Sequence, residues 1–205
     1  MIVIVDYKMG NLGSIANILR KVGAEATVSS DHAVIGRASK LVLPGVGAFD
    51  EGVKNIEALG LREVLTRRVR QEHTPTLGIC LGMQLMARSS EEGVRPGLNW
   101  IEADVKRFRF GEVAPQLKVP HMGWNTVTPV KQSALFAGFA DEPRFYFVHS
   151  YYVVCDDIAH VLATALYGHE FAAAFQQGNL MGVQFHPEKS HRFGMTLFRN
   201  FLKLA

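Results

Sequence analysis

The chain has 205 residues, of which 48% are hydrophobic and 20% are charged, so it has the composition of a soluble globular protein and enough length for one domain with a sizeable core. Twenty-two basic and nineteen acidic residues give a net charge of +3, which is too small to indicate binding to nucleic acid or to an anionic membrane. Because the sequence has only two cysteines, no signal-peptide pattern and no apolar run that could cross a bilayer, it predicts a cytoplasmic enzyme whose residues 1–205 form a single domain.

The first half of the chain alternates short apolar runs with amphipathic segments. The runs predict buried strands at residues 2–5, 26–28, 40–43 and 76–79. Apolar residues at helical spacing predict one helix between the N-cap residue Asn11 and Gly23, and two more over residues 49–69 and 83–87. Strands that alternate with helices in this way are typical of a parallel sheet with helices on both faces, so we predict an α/β fold.

The second half of the chain has a different pattern. Short strand-like runs predict an additional antiparallel β segment, at residues 104–108, 144–148, 152–154 and 171–175. A last sheet strand is predicted at residues 180–185, and a terminal helix carries apolar residues from 195 to 202. In an open α/β sheet, ligands bind beyond the carboxyl ends of the strands. Pro44, Cys80 and His186 each follow a predicted strand or lie at its end, so we expect them to meet at that edge.

The stretch Gly78-Ile79-Cys80-Leu81-Gly82 carries a chemical signal, because it places a cysteine between glycines directly after a strand. A side chain on a sharp strand-to-helix turn projects into the open, and the flanking glycines tolerate a strained backbone and a close substrate. The N-terminus of the following helix also favours a thiolate. A lone cysteine in an apolar run is more often a small buried hydrophobe, so this interpretation needs a second motif.

The second motif is His186-Pro187-Glu188. Residues two apart in an extended chain face the same side, so Glu188 can reach the ring of His186, and Pro187 should end the strand. A carboxylate that holds an imidazole fixes its tautomer and stabilises its protonated form. We therefore predict that Cys80 is a nucleophile, His186 its base and Glu188 the residue that orients the base.

Acyl transfer to a thiol passes through a tetrahedral anion, which needs N–H donors aimed at it in advance. One predicted donor is the backbone N–H of Leu81, and the other comes from the loop Pro44-Gly45-Val46-Gly47. Without Cys80, that loop would be read as an ordinary turn between a strand and a helix. The other histidines lack the spacing of a zinc site and the glycines lack that of a dinucleotide site, so we predict no metal and no cofactor.

These motifs, in this order along the chain, resemble those of the class I (triad-type) glutamine amidotransferases. The resemblance covers nearly the whole chain and is greatest to the glutaminase subunits of imidazole glycerol phosphate synthases. The segments that carry it are residues 6–11, 44–47, 78–84, 89–93, 118–125, 147–151 and 186–190. The block at 118–125 is the most specific to those glutaminases. The sequence departs from the pattern at Lys8, where members commonly have glycine, and in residues 99–102.

The resemblance implies a flavodoxin-like sheet and the hydrolysis of glutamine to glutamate and ammonia. It implies a heterodimer in which the ammonia passes through a tunnel into a separate (β/α)₈ cyclase subunit. There the ammonia would serve to make imidazole glycerol phosphate and aminoimidazole carboxamide ribotide, in histidine biosynthesis.

The resemblance also assigns roles to individual residues. It implies that the glutamine main chain is bound by Gln84, His149, Ser150 and Tyr151. The Val46–Gly47 peptide would turn to complete the oxyanion hole when the partner binds. The residues that match positions at or near the interface between the two proteins are Asn11, Lys118, His121, Trp124, Asn125, Tyr146 and Lys189.

Three other interpretations stay open on the sequence alone. A stand-alone cysteine peptidase or amide hydrolase could use the same three groups, although Gln84 and the segment 149–151 favour free glutamine. A glutaminase subunit of another amidotransferase, such as anthranilate synthase, would leave residues 118–125 unexplained. A non-catalytic module that keeps the fold would not need an intact set of Cys80, His186 and Glu188.

Overall fold

The computed structural model describes residues 1–111, 116–139 and 142–204. The first half follows the predicted alternation of strands and helices. Its elements are β1 (Ile2–Val5), α1 (Leu12–Lys21), β2 (Ala26–Ser29), α2 (His32–Ile35), β3 (Lys40–Leu43), α3 (Phe49–Ala58), α4 (Leu61–Thr66), β4 (Thr76–Ile79) and α5 (Leu81–Leu85). As predicted, Asn11 caps α1, because its side-chain oxygen accepts a hydrogen bond from the backbone N–H of Ser14 at 3.2 Å.

The second half consists mainly of strands and ends in a long helix. Its elements are β5 (Ser89–Ser90), β6 (Ala103–Arg107), β7 (His121–Thr126), β8 (Thr128–Pro129), β9 (Arg144–His149), β10 (Tyr151–Cys155), β11 (Val161–Tyr167), β12 (His169–Gln177), β13 (Leu180–Val183) and α6 (His191–Lys203).

The largest sheet has the strand order β2-β1-β3-β4-β13-β12-β11-β8. Its first five strands pair in parallel, and β12, β11 and β8 extend it with antiparallel pairs. Two smaller sheets, β10-β6-β5 and β7-β9, come from the second half. The predicted α/β fold with an additional antiparallel segment is therefore confirmed. The parallel pairing of β4 with β13 also brings together the strands that precede Cys80 and His186.

The core is divided between the two faces of the main sheet. Within β1, Ile2 and Ile4 belong to the apolar cluster that includes residues of α1 and α6, whereas Val3 and Val5 belong to the cluster that includes residues of α3, α4 and α5. A strand buried on both faces needs apolar residues at every position rather than at alternate ones, which explains the continuous apolar runs. In the described part of the chain, no helix is both long and apolar enough to cross a membrane.

Several element boundaries differ from the prediction. The helix predicted over residues 49–69 is broken at Gly60, which adopts left-handed geometry (φ 65°) between α3 and α4. The short helix α2 was missed, and it is held by the Asp31 carboxylate, which accepts from two backbone N–H groups. β7 and β11 were missed as well. β7 forms because it pairs with β9, although its sequence shows no apolar alternation.

Candidate active site

The turn at Cys80 has the strained geometry expected of a nucleophile between a strand and a helix, but the residue is only 7% exposed and its side chain does not project into the open as predicted. Cys80 lies between β4 and α5 with φ 53° and ψ −109°, and its backbone N–H donates to the carbonyl of Val183 at 2.8 Å. A positive φ is uncommon for a residue that has a Cβ, so the surrounding structure has to hold this conformation in place. The N-terminus of α5, with its positive dipole end, begins directly after the sulfur-bearing residue.

The two glycines of the motif have a different purpose from the one predicted. A Cβ on Gly82 would lie 1.8 Å from the carbonyl oxygen of Leu43, and one on Gly78 would lie 2.8 Å from the backbone nitrogen of Met83. Both positions therefore need glycine because the chain packs against itself there. The expectation that these glycines make room for substrate is not what the contacts indicate.

His186 and Glu188 form a buried pair. The Nδ1 atom of His186 lies 2.8 Å from Oε1 of Glu188, and both side chains are almost fully buried. The main-sheet strand ends at Val183 rather than at residue 185, and Pro187–Lys189 form a short 3₁₀ turn. This turn, rather than the alternation of an extended chain, brings the carboxylate back to the ring.

The backbone around this pair is held from β9. The N–H of His186 donates to the carbonyl of Tyr146 at 2.8 Å, and the N–H of Tyr146 donates to the hydroxyl of Ser190 at 3.0 Å. The same hydroxyl donates to the carbonyl of His186 at 2.6 Å. These bonds fix the position of the imidazole relative to the sheet.

The electrostatics of the site favour a protonated His186. Burial lowers the pKa of this ring, but interactions with the Cys80 thiol and with Glu188 outweigh that effect and raise its pKa well above the ordinary value. The Nε2 atom is buried and has no hydrogen-bond partner among the described residues. The raised pKa means that the proton of the thiol is held on the ring, from which Nε2 can deliver it to a leaving group.

A cavity of about 230 Å³ lies in front of Cys80. It brings together the predicted nucleophile, the predicted oxyanion residues and the predicted substrate clamp, which are distant in the sequence. Its lining residues are Val46, Gly47, Cys80, Leu81, Gln84, Glu92, Pro120, Val148, His149, Ser150 and Tyr151.

The glycine loop beside the cavity is held by Tyr7. The hydroxyl of this fully buried tyrosine donates to the carbonyl of Pro44. A Cβ on Gly45 would lie 2.9 Å from the backbone nitrogen of Gly82, so the loop packs directly against the start of α5. Gly47 has φ 122°, a conformation that residues with a side chain rarely adopt.

We expect Gly47→Ala to reduce the glutamine hydrolysis that the resemblance implies by about 10²-fold, the usual cost of disturbing one oxyanion donor. The reason is the positive φ, together with a Cβ that would lie 2.7 Å from Cε of Met9. Steady-state glutamate release measures the effect. Gly13→Ala is the matched control, because a Cβ there meets only open space on α1. Equal activity of the two variants would contradict an oxyanion role for this loop.

Lys8 is a departure from the family pattern that the fold tolerates. It has φ 66°, the left-handed conformation that glycine adopts freely. Its backbone N–H donates to Asp6 at 2.9 Å and its ammonium group forms an ion pair with the same carboxylate at 3.0 Å. These two bonds hold the lysine in a backbone conformation that suits glycine.

The amide group of Gln84 is largely committed to the protein itself. Its Nε2 donates to the carbonyl of Tyr151 at 3.0 Å and to Oε1 of Gln184 at 3.0 Å. Both N–H groups are therefore used, and only the carbonyl oxygen remains for a ligand. Gln84 can accept a hydrogen bond from an ammonium group, but its amide cannot also donate to a carboxylate.

Glu92 is a cavity residue for which the sequence predicted no role. Its Oε2 accepts from the backbone N–H of Phe49 at 2.9 Å, which fixes the carboxylate at the cavity wall. Burial raises its pKa. The signal in the sequence was its place in the block at residues 89–93, but no pattern there indicated that it faces the cavity.

The predicted interface residues divide into an exposed and a buried group. Trp124 is 42% exposed, and Asn11, Lys118 and Lys189 are also exposed.

His121 is only 3% exposed, because its ring stacks between those of Phe147 and Tyr167. Its side chain therefore does not lie on the surface of the isolated chain, and its place at or near the interface stays a prediction. Tyr146 and Asn125 are half-buried, and the ammonium group of Lys189 lies over the ring of Tyr146 at 5.6 Å.

The buried histidines should make the protein sensitive to acid. Burial lowers the pKa of His121 to about 4 and that of His149 to about 3. Below about pH 6.5 the unfolded chain binds protons on these rings that the folded chain does not bind, so stability should fall as the pH drops from about 6.5 towards about 4. Urea titrations across this range measure the slope. We expect a shallower slope for His121→Gln and no change for the exposed control His73→Asn; an unchanged slope for His121→Gln would contradict this assignment.

Comparisons with known proteins agree with this geometry. In the described part of the chain, no group of histidine, cysteine, aspartate and glutamate side chains could hold a metal ion. The model of the family "Glutamine amidotransferase class-I" matches residues 3–205. The chain is 50% identical to imidazole glycerol phosphate synthase subunit HisH 2 of Methanococcus maripaludis and 48% identical to that of Pseudomonas aeruginosa, each over the full length of both chains.

The crystal structure of a glutamine amidotransferase from Thermotoga maritima matches this fold with a TM-score of 0.70. It is 19% identical, and the match covers 98% of this chain and 96% of that one, so it supports the fold. The resemblance inferred from the motifs is thus confirmed. The chain belongs to the class I glutamine amidotransferases and, among them, to the HisH family of imidazole glycerol phosphate synthase subunits.

Proposed function

We propose that this chain hydrolyses glutamine to glutamate and ammonia and supplies the ammonia to the cyclase partner in imidazole glycerol phosphate synthase. The observation that carries the proposal is the small cavity at Cys80, together with the His186 imidazole, whose pKa is raised by Cys80 and by the carboxylate hydrogen-bonded to it. A strained cysteine and glycine-rich backbone at one cavity, with a buried base whose pKa depends on that cysteine, are the parts that acyl transfer requires.

In the proposed reaction, the sulfur of Cys80 attacks the δ-carboxamide carbon of glutamine while His186 takes the thiol proton. The backbone N–H groups of Leu81 and of the Val46–Gly47 segment stabilise the resulting anion. The C–N bond then breaks, and His186 gives its proton to the leaving ammonia. Water hydrolyses the thioester with the same ring as base, which releases glutamate and restores the thiol.

The main chain of glutamine would be bound at the other end of the cavity. The carbonyl oxygen of Gln84 and the carboxylate of Glu92 suit the α-ammonium group, since both accept hydrogen bonds. The backbone around Ser150 suits the α-carboxylate. A cavity of about 230 Å³ is small for a peptide, which favours free glutamine over a protein substrate.

The partner would bind over the mouth of the cavity. Val46, at the cavity, and Met122 and Trp124, on β7, are large apolar residues that are exposed in the isolated chain. Such residues are enriched at the centres of protein interfaces. We propose a heterodimer with the (β/α)₈ cyclase, so that ammonia passes directly between the two sites. A thiol nucleophile needs a reducing compartment, so we propose a cytoplasmic location.

Glutamate release by the chain alone, with the cyclase, and with the cyclase and its ribonucleotide ligand tests this proposal. We expect low activity alone and a large increase in the full complex, with the amide nitrogen of glutamine recovered in imidazole glycerol phosphate. Equal activity in all three mixtures would favour a stand-alone amide hydrolase instead. A panel of glutamine-containing peptides, tested in parallel, separates that alternative from the proposed one.

A further inference from the structure

A directed chain of hydrogen bonds leads from a backbone carbonyl to the sulfur of Cys80. The carbonyl oxygen of Tyr151 can only accept, so the atom of Gln84 that faces it at 3.0 Å must be the amide nitrogen. The same nitrogen faces Gln184 at 3.0 Å and therefore donates to the oxygen of that side chain. The amide nitrogen of Gln184 must then point the other way, and it lies 3.6 Å from Sγ of Cys80.

The orientation of Gln184 is thus fixed rather than free. Its side chain is fully buried, and its backbone N–H donates to the carbonyl of Ala173 at 2.8 Å, just beyond the end of β13. A buried amide cannot exchange its partners with water, so reversing it would leave two polar groups unsatisfied. The donor therefore faces the sulfur before any substrate is present.

A second branch holds the carbonyl of Tyr151 from the other side. Nδ1 of His149 donates to this oxygen at 2.7 Å, so Nε2 of the neutral ring must accept, and it does so from Nδ1 of His121 at 3.0 Å. Nε2 of His121 in turn accepts from the amide of Asn125 at 3.3 Å. Both lone pairs of the Tyr151 carbonyl oxygen therefore accept a hydrogen bond, one from His149 and one from Gln84. The carbonyl that orients the Gln84 amide is thus itself held in place.

We propose that Gln184 is a further catalytic residue, whose Nε2–H donates a hydrogen bond to the sulfur of Cys80 and stabilises its thiolate form. This inference rests on the proposed role of Cys80 as nucleophile. An N–H group that faces an anion forms a charge-assisted hydrogen bond, which is stronger than one to the neutral thiol. Gln184 therefore favours the reactive form of the cysteine without taking part in proton transfer, which remains with His186.

The pH dependence of Cys80 alkylation by iodoacetamide tests this step without using substrate. The rate is followed on the Cys80 peptide by mass spectrometry, so modification of Cys155 does not interfere. We expect Gln184→Met, which keeps the size and removes the donor, to move the midpoint of the profile up by about one pH unit and to slow alkylation at neutral pH about tenfold. The exposed control Gln132→Met should leave the profile unchanged. An unchanged midpoint in folded Gln184→Met would overturn the proposal.

If Gln184→Met does not fold, the proposal can be tested on the protein with Gln184 in place, by following the amide protons of that side chain by NMR. In protein labelled with ¹⁵N at its glutamine side chains, the Gln184 amide protons should shift with the same midpoint as the alkylation rate, and the shift should vanish in Cys80→Ser. A flat titration in the parent protein would equally overturn the proposal. Glutamate release by the complex is independent of both readouts, so failure of the proposed function and failure of this hydrogen bond are distinguishable.

Discussion

Cys80→Ser should reduce glutamine hydrolysis by about 10⁴-fold while the folded chain still binds glutamine and its partner. A serine hydroxyl fits the same turn, so the strained backbone at φ 53° does not change. The oxygen is a much weaker nucleophile than sulfur, and the interaction that raises the pKa of His186 depends in part on the Cys80 thiol. Steady-state glutamate release in the full complex measures the loss, and calorimetry measures binding.

Cys155→Ser is the matched control for that experiment. Cys155 lies in β10, and burial raises the pKa of its thiol to about 11, so it carries little thiolate at neutral pH. We expect its replacement to leave glutamate release unchanged. Turnover that survives in Cys80→Ser but is lost in Cys155→Ser would reject the assigned nucleophile.

The elements that the sequence predicted correctly are those in which a local pattern and the tertiary structure agree. The buried strands β1, β3 and β4 have apolar residues on both faces, so their continuous apolar runs could not be confused with loops. The candidate nucleophile and base were recognisable because glycine, cysteine, proline and histidine each carry a specific backbone or chemical meaning. β7 had no such pattern, because its strand character comes from pairing with β9. The first residue of β7, His121, and the first residue of β9, Arg144, are 23 positions apart in the sequence.

The parts of the site that could not be predicted depend on long-range contacts between polar side chains. Gln184 is 104 positions from Cys80, and Gln84 is 67 positions from Tyr151. A glutamine next to a strand end is usually a surface residue. Only the tertiary structure shows that Gln184 is buried beside the sulfur of Cys80. For the same reason, no pattern in the sequence indicated that the aromatic stack and the bond to His149 bury the side chain of His121.

We expect Glu188→Gln to reduce the rate of glutamine hydrolysis by about 10³–10⁴-fold with little change in KM. The carboxylate accepts a hydrogen bond from Nδ1 of His186 at 2.8 Å, which leaves Nε2 free to accept the thiol proton. An amide in its place can donate to Nδ1, and the ring proton then moves to Nε2, where it blocks that step. The carboxylate would also no longer stabilise the imidazolium. Steady-state kinetics in the complex measure kcat and KM separately, and the exposed glutamate variant Glu102→Gln is the control.

The double variant Cys80→Ser/Glu188→Gln distinguishes a single proton relay from two independent contributions. If Glu188 acts only through His186 on Cys80, the double variant should be no slower than Cys80→Ser alone, since residues that act as a unit are strongly non-additive. If instead the two losses multiply, Glu188 has a separate role. Its side-chain oxygen Oε2 is buried and has no hydrogen-bond partner among the described residues. If the losses multiply, this oxygen is the atom through which Glu188 would act. Such a result would show that Glu188 also contributes independently of the relay, while leaving Cys80 as the nucleophile.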